Sequence, residues 1–382
     1  MSKQPDTARW AWADIDLAAL RSNVAALISH DPSQQLWAVV KANAYGHGAV
    51  KVADAAVQAG ASGLCVALAD EAVSLRAEGI LAPILVMSEQ PTRQHAAMIE
   101  NNIIATLYNS DMVSAYADTA RVLQRTALVH LKVDTGMHRV GVAPNDAVAV
   151  AQLIVQQQFL ELDGVYTHLA TADDAAHPGS AMQLGRFSQV INQLGEVGIT
   201  PRHLHVANSA ATVRHLGTDA ATTMVRAGIA LYGIASDAKH DSFGSPTSVS
   251  LRPVLSLKAR VSHVQWIDPG EAVSYGLRRP VSTRTCIATL PLGYGDGVTR
   301  ALWQEGYVLL GGKKRSFAGI VTMDQVMLDC GSDVVAIGDE AVLIGSQGSE
   351  SIGANDWAAL LGTIGYEVVC GISARVPRNY LN

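Results

Sequence analysis

The chain has 382 residues, of which 49% are apolar and 16% charged, with a formal net charge of −6. That length suits two compact units and that composition a large buried core, which excludes a disordered chain. Mild acidity without a basic run excludes a nucleic-acid binder, and no stretch is long enough to span a bilayer. With an N-terminal segment lacking an apolar signal core, the expected location is the cytosol.

From residue 36 to residue 235, short apolar runs alternate with amphipathic stretches. Strands are predicted over 36–41, 64–68, 83–87, 103–107, 128–133, 162–168, 203–207 and 224–232. Helices are predicted between them over 49–59, 70–78, 110–123, 146–156 and 181–197. Continuous apolar strands alternating with helices form a parallel sheet covered on both faces, and eight such units fit a (β/α)8 TIM-type barrel better than an open sheet. The segment 241–248 reads as a linker. Beyond it, β-type runs at 254–264, 285–290, 307–310, 326–329 and 340–344, separated by glycine-rich turns, predict a mainly-β second domain. The expected division is a barrel over 1–246, with a short N-terminal extension, and a β-domain over 247–382.

Cys65, Cys286, Cys330 and Cys370 lie far apart without a CxxC pair, so neither a disulfide framework nor a structural zinc site is indicated. Cys65 and Cys286 sit in apolar runs and read as core thiols. His203-Leu204-His205 would turn two imidazoles the same way on a strand. With no carboxylate or third histidine nearby in sequence, a hydrogen-bonded structural role is expected and no metal.

Active sites of such barrels lie at the C-terminal ends of the strands, a rule that gathers Lys41, Lys132, His168, Asn208, Ser209 and Arg226 at one mouth. Lys41 closes an apolar run and enters a loop with two glycines, where burial can lower its pKa and make it a nucleophile towards a carbonyl. Ser209, with backbone N–H groups freed at Gly228, can hold a phosphate without a basic cluster. The bland alternatives are a helix cap at Asn208-Ser209, a tight strand exit at Gly228 and a structural salt bridge at Arg226.

The stretch Val39-Val40-Lys41-Ala42-Asn43-Ala44-Tyr45-Gly46-His47-Gly48 resembles the pyridoxal-phosphate lysine motif of the alanine racemases. The resemblance begins at Trp12-Ala13-Asp14-Ile15-Asp16-Leu17 and runs to Ala374-Arg375-Val376-Pro377-Arg378-Asn379-Tyr380, over nearly the whole chain. It implies a barrel followed by a β-domain. Lys41 would carry pyridoxal 5'-phosphate, with Asn208 beside it and Tyr45, Ser209, Gly228, Ile229 and Tyr366 around the phosphate. His168 would lie against the ring and Arg226 would face the pyridine nitrogen. Arginine only donates, so that nitrogen would stay unprotonated.

The resemblance also implies two bases on opposite faces of Cα, Lys41 and Tyr275, the latter in Glu271-Ala272-Val273-Ser274-Tyr275-Gly276. Tyr275 would reach the barrel mouth of another copy, which makes a homodimer with shared sites part of the expectation. A phenol of pKa about 10 needs nearby cations to act near neutrality, and His168 and Arg226 are expected to supply them. Arg139 would clamp the substrate carboxylate or the cofactor phenolate, opposite a carbamylated Lys132. Met323 and Asp324, in Gly319-Ile320-Val321-Thr322-Met323-Asp324-Gln325, would serve the carboxylate site across the dimer. Tyr294 and Tyr366 would gate the mouth and favour a small side chain.

Two positions depart from the pattern. Ile320 stands where many relatives carry arginine and is expected to alter polar contacts along the access channel. Thr322 stands where cysteine is common and is expected to reduce sensitivity to thiol reagents. The activity implied is interconversion of L- and D-alanine, supplying D-alanine for the bacterial cell wall. Alternatives are an alanine/serine racemase, a decarboxylase of related architecture (against which Arg226 argues), and a non-catalytic pyridoxal-phosphate-binding barrel.

Overall fold

The computed structural model describes residues 9–218, 221–236 and 249–382, so the expected linker 241–248 and the boundary at 246 lie outside the described residues. Strand β1 (Ala11–Asp16) opens them and ends at Asp16, whose carboxylate accepts the Ala19 N–H at 2.7 Å and caps the helix Leu17–His30. Eight parallel strands follow: β2 (Gln35–Val39), β3 (Gly63–Val66), β4 (Ile84–Val86), β5 (Ala105–Leu107), β6 (Ala127–Lys132), β7 (Leu160–Tyr166), β8 (His203–His205) and β9 (Met224–Ala227). They pair as β4-β3-β2-β9 and β5-β6-β7-β8. One seam closes where the Ile104 N–H reaches the Ile84 carbonyl and the Val86 N–H the Ile104 carbonyl; the other closes where the Thr223 and Arg226 N–H groups reach the Leu204 and Ala207 carbonyls. The result is the expected barrel.

Side chains two apart on a strand share a face. In β6 to β9 this places His130 with Lys132, Gly164 with Tyr166, His203 with His205, and Met224 with Arg226, all but Gly164 among the buried side chains. Gly164 makes room for the imidazole of His130, since a Cβ there would lie 2.6 Å from the ring. This half of the barrel therefore has a polar interior, which needs a hydrogen-bond partner for each buried group.

Most barrel strands end earlier than the apolar runs suggest. The run over 224–232 is strand only to Ala227, then a 3-10 turn, Ile229–Tyr232. The extra apolar residues line a buried turn rather than a strand, because a barrel mouth packs against the second unit.

That unit is mainly β. Strands β10 (Leu255–Arg260), β11 (His263–Ile267), β12 (Thr285–Leu290), β13 (Tyr307–Leu310), β14 (Lys313–Ser316), β15 (Val326–Asp329), β16 (Glu340–Gln347), β17 (Glu350–Ile352) and β18 (Arg378–Leu381) form it, with helices Ala354–Leu361 and Gly365–Cys370 that the sequence reading did not foresee. The single run expected over 254–264 divides into β10 and β11, which lie in different sheets. β1 belongs here too: it pairs antiparallel with β10 and parallel with β18. Cys65 and Cys286 are core residues as expected, and Cys370 is exposed. Among the described residues no helix is long and apolar enough to cross a membrane.

Candidate active site

A cavity of about 650 Å³ opens at the C-terminal ends of the barrel strands, lined by Lys41, Tyr45, Arg139, His168, Asn208, Ser209, Arg226, Gly228, Ile229 and Tyr366 among others. Ten of the sequence-selected residues thus converge on one space. Lys132 is buried close by, with its Nζ 5.5 Å over the Tyr166 ring.

Lys41 leaves β2 through a left-handed turn. Ala42, Asn43, Ala44 and Tyr45 all have φ between 51° and 54°, and Gly46 follows at φ 82°. Left-handed geometry costs L-residues about 1–2 kcal/mol each, so four in a row need firm external partners. The Glu71 carboxylate accepts the Ala42 N–H at 2.6 Å, Asn43 Oδ1 accepts the Ala49 N–H at 2.8 Å, and Arg378 Nε donates to the Gly46 carbonyl at 2.9 Å. His47, held near pKa 4 by burial, is neutral and its Nδ1 lies 2.9 Å from the Tyr45 carbonyl. One turn therefore presents both Lys41 and Tyr45 to the cavity. Burial and then Arg139 lower the Lys41 pKa, while Glu71 pulls it back up.

The opposite end of the cavity is a cradle of hydroxyls. Ser209 Oγ accepts the Gly228 N–H at 2.7 Å and the Ala230 N–H at 3.3 Å, which leaves its own O–H to donate. A Cβ at Gly228 would come within 2.6 Å of Tyr45 Oη, so any larger residue there would have to push that hydroxyl aside. Tyr366 hydrogen-bonds Ser236 at the same end. Asn208 is committed to support: its Oδ1 caps the Ala211 N–H at 3.1 Å and its Nδ2 donates to the Leu169 carbonyl at 3.2 Å. The bland reading of Asn208 as a helix cap is the one its side-chain bonds describe.

Arg226 is fully inside. Nη1 donates to His205 Nδ1 at 2.6 Å, and Nη2 donates to the carbonyls of Thr167 at 2.9 Å and Val206 at 3.2 Å and lies 3.4 Å from His168 Nδ1. Its Nε–H has no hydrogen-bond partner among the described residues. Because arginine cannot accept, His205 Nδ1 must, and the His205 proton sits on Nε2. That N–H donates to His130 Nδ1 at 2.9 Å, and His130 Nε2–H points to Asp163 Oδ2 at 3.4 Å. Tyr166 stacks on His205, with ring centroids 4.6 Å apart, and lies 5.1 Å from the guanidinium. The expectation for His203 and His205 thus resolves into hydrogen bonding, His205 with Arg226 and His130, and His203 through Nδ1 with Thr223 Oγ1 at 3.5 Å. Among the described residues no cluster of three or more metal-binding side chains forms. Sequence reading missed Glu71, His130, Asp163 and Tyr166; for the three in strands the signal was the i, i+2 spacing of polar residues, and Glu71, in a first helical turn, carried none.

Burial and Arg226 hold His168 well below the usual imidazole range. His168 is therefore neutral rather than the cation expected, and of the two residues Arg226 is the charged one. Arg139 makes no hydrogen bond or ion pair among the described residues. Asp134 shapes its loop by accepting the Gly136, Met137 and His138 N–H groups, each at 3.0 Å.

Tyr275, Met323, Asp324 and Tyr294 lie outside this cavity in the same chain. Tyr275 is 72% exposed, Met323 52% and Tyr294 44%. Tyr294 borders a separate hollow with Arg300 and Trp357. The Asp324 carboxylate pairs with Arg375 at 2.6 Å. Ile320 is buried, and its backbone carbonyl accepts from Ser274 Oγ at 2.6 Å, which braces the loop before Tyr275. Gly319 packs on the same loop: a Cβ would lie 2.4 Å from the Val273 carbonyl oxygen.

Residues 15–236 match the family described as alanine racemase, N-terminal domain, and residues 254–380 that described as alanine racemase, C-terminal domain. A Symbiobacterium thermophilum protein named alanine racemase is 43% identical over 376 residues, covering 98% of each chain. Among solved structures, the alanine racemase of Bacillus anthracis with bound L-Ala-P has a TM-score of 0.91 at 37% identity, covering 98% of this chain and 96% of that chain. The alanine racemase from D-cycloserine-producing Streptomyces lavendulae has a TM-score of 0.91 at 38% identity, covering 99% and 98%.

Proposed function

The chain belongs to the alanine racemase family and interconverts L- and D-alanine with pyridoxal phosphate, and from that premise we propose that Lys41 and Tyr275 are its two bases. The observation that carries the reading is the cavity itself, which sets a lysine of lowered pKa and a hydroxyl cradle around one space, with a buried arginine on its wall. These residues fit the cofactor. Lys41 would carry it, Tyr45, Ser209, Gly228, Ile229 and Tyr366 would hold its phosphate, and Arg226 would face its ring nitrogen. When bound, it supplies the electron sink that acidifies the Cα–H of an attached amino acid.

Racemisation takes a proton from one face of Cα and returns one to the other. The lowered pKa of Lys41 makes its neutral amine, the form that accepts a proton, more available. Arg226 offers donors but no transferable proton, so it can orient without taking part in proton transfer. Arg139, a cation with no partner among the described residues, suits the substrate carboxylate. The exposure of Tyr275, Met323 and Tyr294 supports a homodimer in which a second copy brings these groups to the mouth. Supplying D-alanine in the cytoplasm for peptidoglycan is the role that family membership suggests. Incubating pure protein and pyridoxal phosphate with L-alanine, and separately with D-alanine, tests the activity. Both should converge on an equal mixture, and no change in either would overturn the reading.

Two further outcomes are expected at this site. Burial, then Arg226 and Arg139, lowers the Lys132 pKa to about 8. Only the neutral amine adds carbon dioxide, so carbamylation of Lys132 should increase as pH rises through about 8. Native mass measurements with and without bicarbonate should show one added carboxyl group, and a bare amine throughout would count against it. Second, Gly228→Ala should weaken cofactor binding by about tenfold or more, because the methyl group displaces Tyr45 Oη. Equilibrium titration by absorbance checks this.

A further inference from the structure

The left-handed turn at 42–46 runs through four non-glycine residues of positive φ beside the cavity, and besides its local bonds it is held by two side chains from far along the chain, Glu71 and Arg378. Only one of these partners is a charged side chain that acts on the residue directly after Lys41. The Glu71 carboxylate accepts the Ala42 N–H at 2.6 Å through Oε1, while Oε2 accepts the Ala67 N–H at 2.9 Å and the Leu68 N–H at 3.1 Å. Ala67 and Leu68 lead from β3 into the helix Ala69–Ala77. One carboxylate therefore ties the turn after β2 to the loop after β3, across adjacent strands that pair in parallel.

We propose that Glu71 is a positioning residue for Lys41. By fixing the first left-handed peptide, it sets the direction in which Lys41 leaves the strand and keeps Tyr45, four residues on, over Gly228. The lysine and the phosphate cradle thus stay in register with each other. The inference rests on reading Lys41 as the residue that carries the cofactor. Charge-assisted bonds to backbone N–H groups are stronger than neutral ones. Glutamine in its place keeps the size but loses the charge, and its amide must aim a donor or a weaker acceptor at three N–H groups.

The test uses the full chain stripped of cofactor. Pyridoxal phosphate is added, the visible absorbance is followed in time, and the product is trapped with borohydride and located by peptide mass. Glu71→Gln should attach cofactor to Lys41 about tenfold more slowly than the parent, with the thermal midpoint lowered by no more than a few degrees. Adding Ala42→Gly to that variant should restore part of the rate, because glycine adopts the left-handed conformation without strain. A parental rate in Glu71→Gln would overturn the proposal. So would a slow rate that comes with a larger fall in midpoint and is not restored by Ala42→Gly, since that marks a general loss of stability. If Glu71→Gln does not fold, Glu71→Asp, one methylene shorter, carries the same comparison. Failure of the parent itself to attach cofactor at Lys41 would instead overturn the reading of Lys41.

Discussion

Tyr275→Phe should retain cofactor on Lys41 and lose racemisation by roughly 10²–10⁴-fold, the range that a positioned proton-transfer group supplies. The ring and its packing are kept and only the hydroxyl is removed. Tyr275 makes no contact with the Lys41 cavity of its own chain and is largely exposed, so cofactor binding should be untouched. The loss would appear in kcat with an unchanged absorbance spectrum. Co-expression gives a sharper result. If each site joins Lys41 of one copy to Tyr275 of the other, a dimer pairing a Lys41→Ala chain with a Tyr275→Phe chain has one intact site and one doubly damaged site. Random pairing should then restore about a quarter of the parental activity from two inactive variants. No restoration, with mixed dimers demonstrated, would place both bases in one chain.

Arg226→Ala should damage both rate and stability. The substitution removes a buried charged donor from the wall of the cavity, and losing a preorganised donor of this kind costs about 10²–10³ in kcat. It also strips His205 Nδ1 and the carbonyls of Thr167 and Val206 of their partner. Buried acceptors left unsatisfied cost about 1–3 kcal/mol each, so a marked fall in thermal midpoint is expected. Arg226→Lys keeps the charge but cannot reproduce the fork, and it should recover stability less than a charge argument predicts. Unchanged kcat in Arg226→Ala, with cofactor fully bound, would remove Arg226 from the site.

The sequence made the barrel legible because its strands are continuous apolar runs between amphipathic helices, and all eight are present in order. It overran their C-terminal ends. At 224–232, the residues of the cradle turn are as apolar as the strand before them, so hydropathy alone cannot mark where the strand stops. Lys41, Ser209 and Arg226 were legible as charged or hydroxylic residues at strand ends. Glu71 was not, since an acidic residue in a first helical turn is ordinarily explained by the helix itself. The neutral state of His168 was hidden for a related reason: its pKa depends on burial beside Arg226, which lies 58 residues away in sequence. Likewise β14, with the charged sequence Lys313-Lys314-Arg315-Ser316, is a sheet strand by pairing with β13 and has no apolar period to announce it.

Strand β1 carries a consequence for synthesis. Its two neighbours in the sheet are β10, whose Ala259 faces Ala11, and β18, whose Arg378 faces Ala13. β1 must therefore wait unpaired while the barrel strands emerge from the ribosome, gains its first partner when β10 is made, and keeps one side open until residues 378–381 follow. Until then it is an exposed edge of the kind that pairs with the wrong strand or with another chain. A nascent chain stalled before β18 would hold a finished barrel and an open sheet, which makes late arrest the stage most exposed to aggregation.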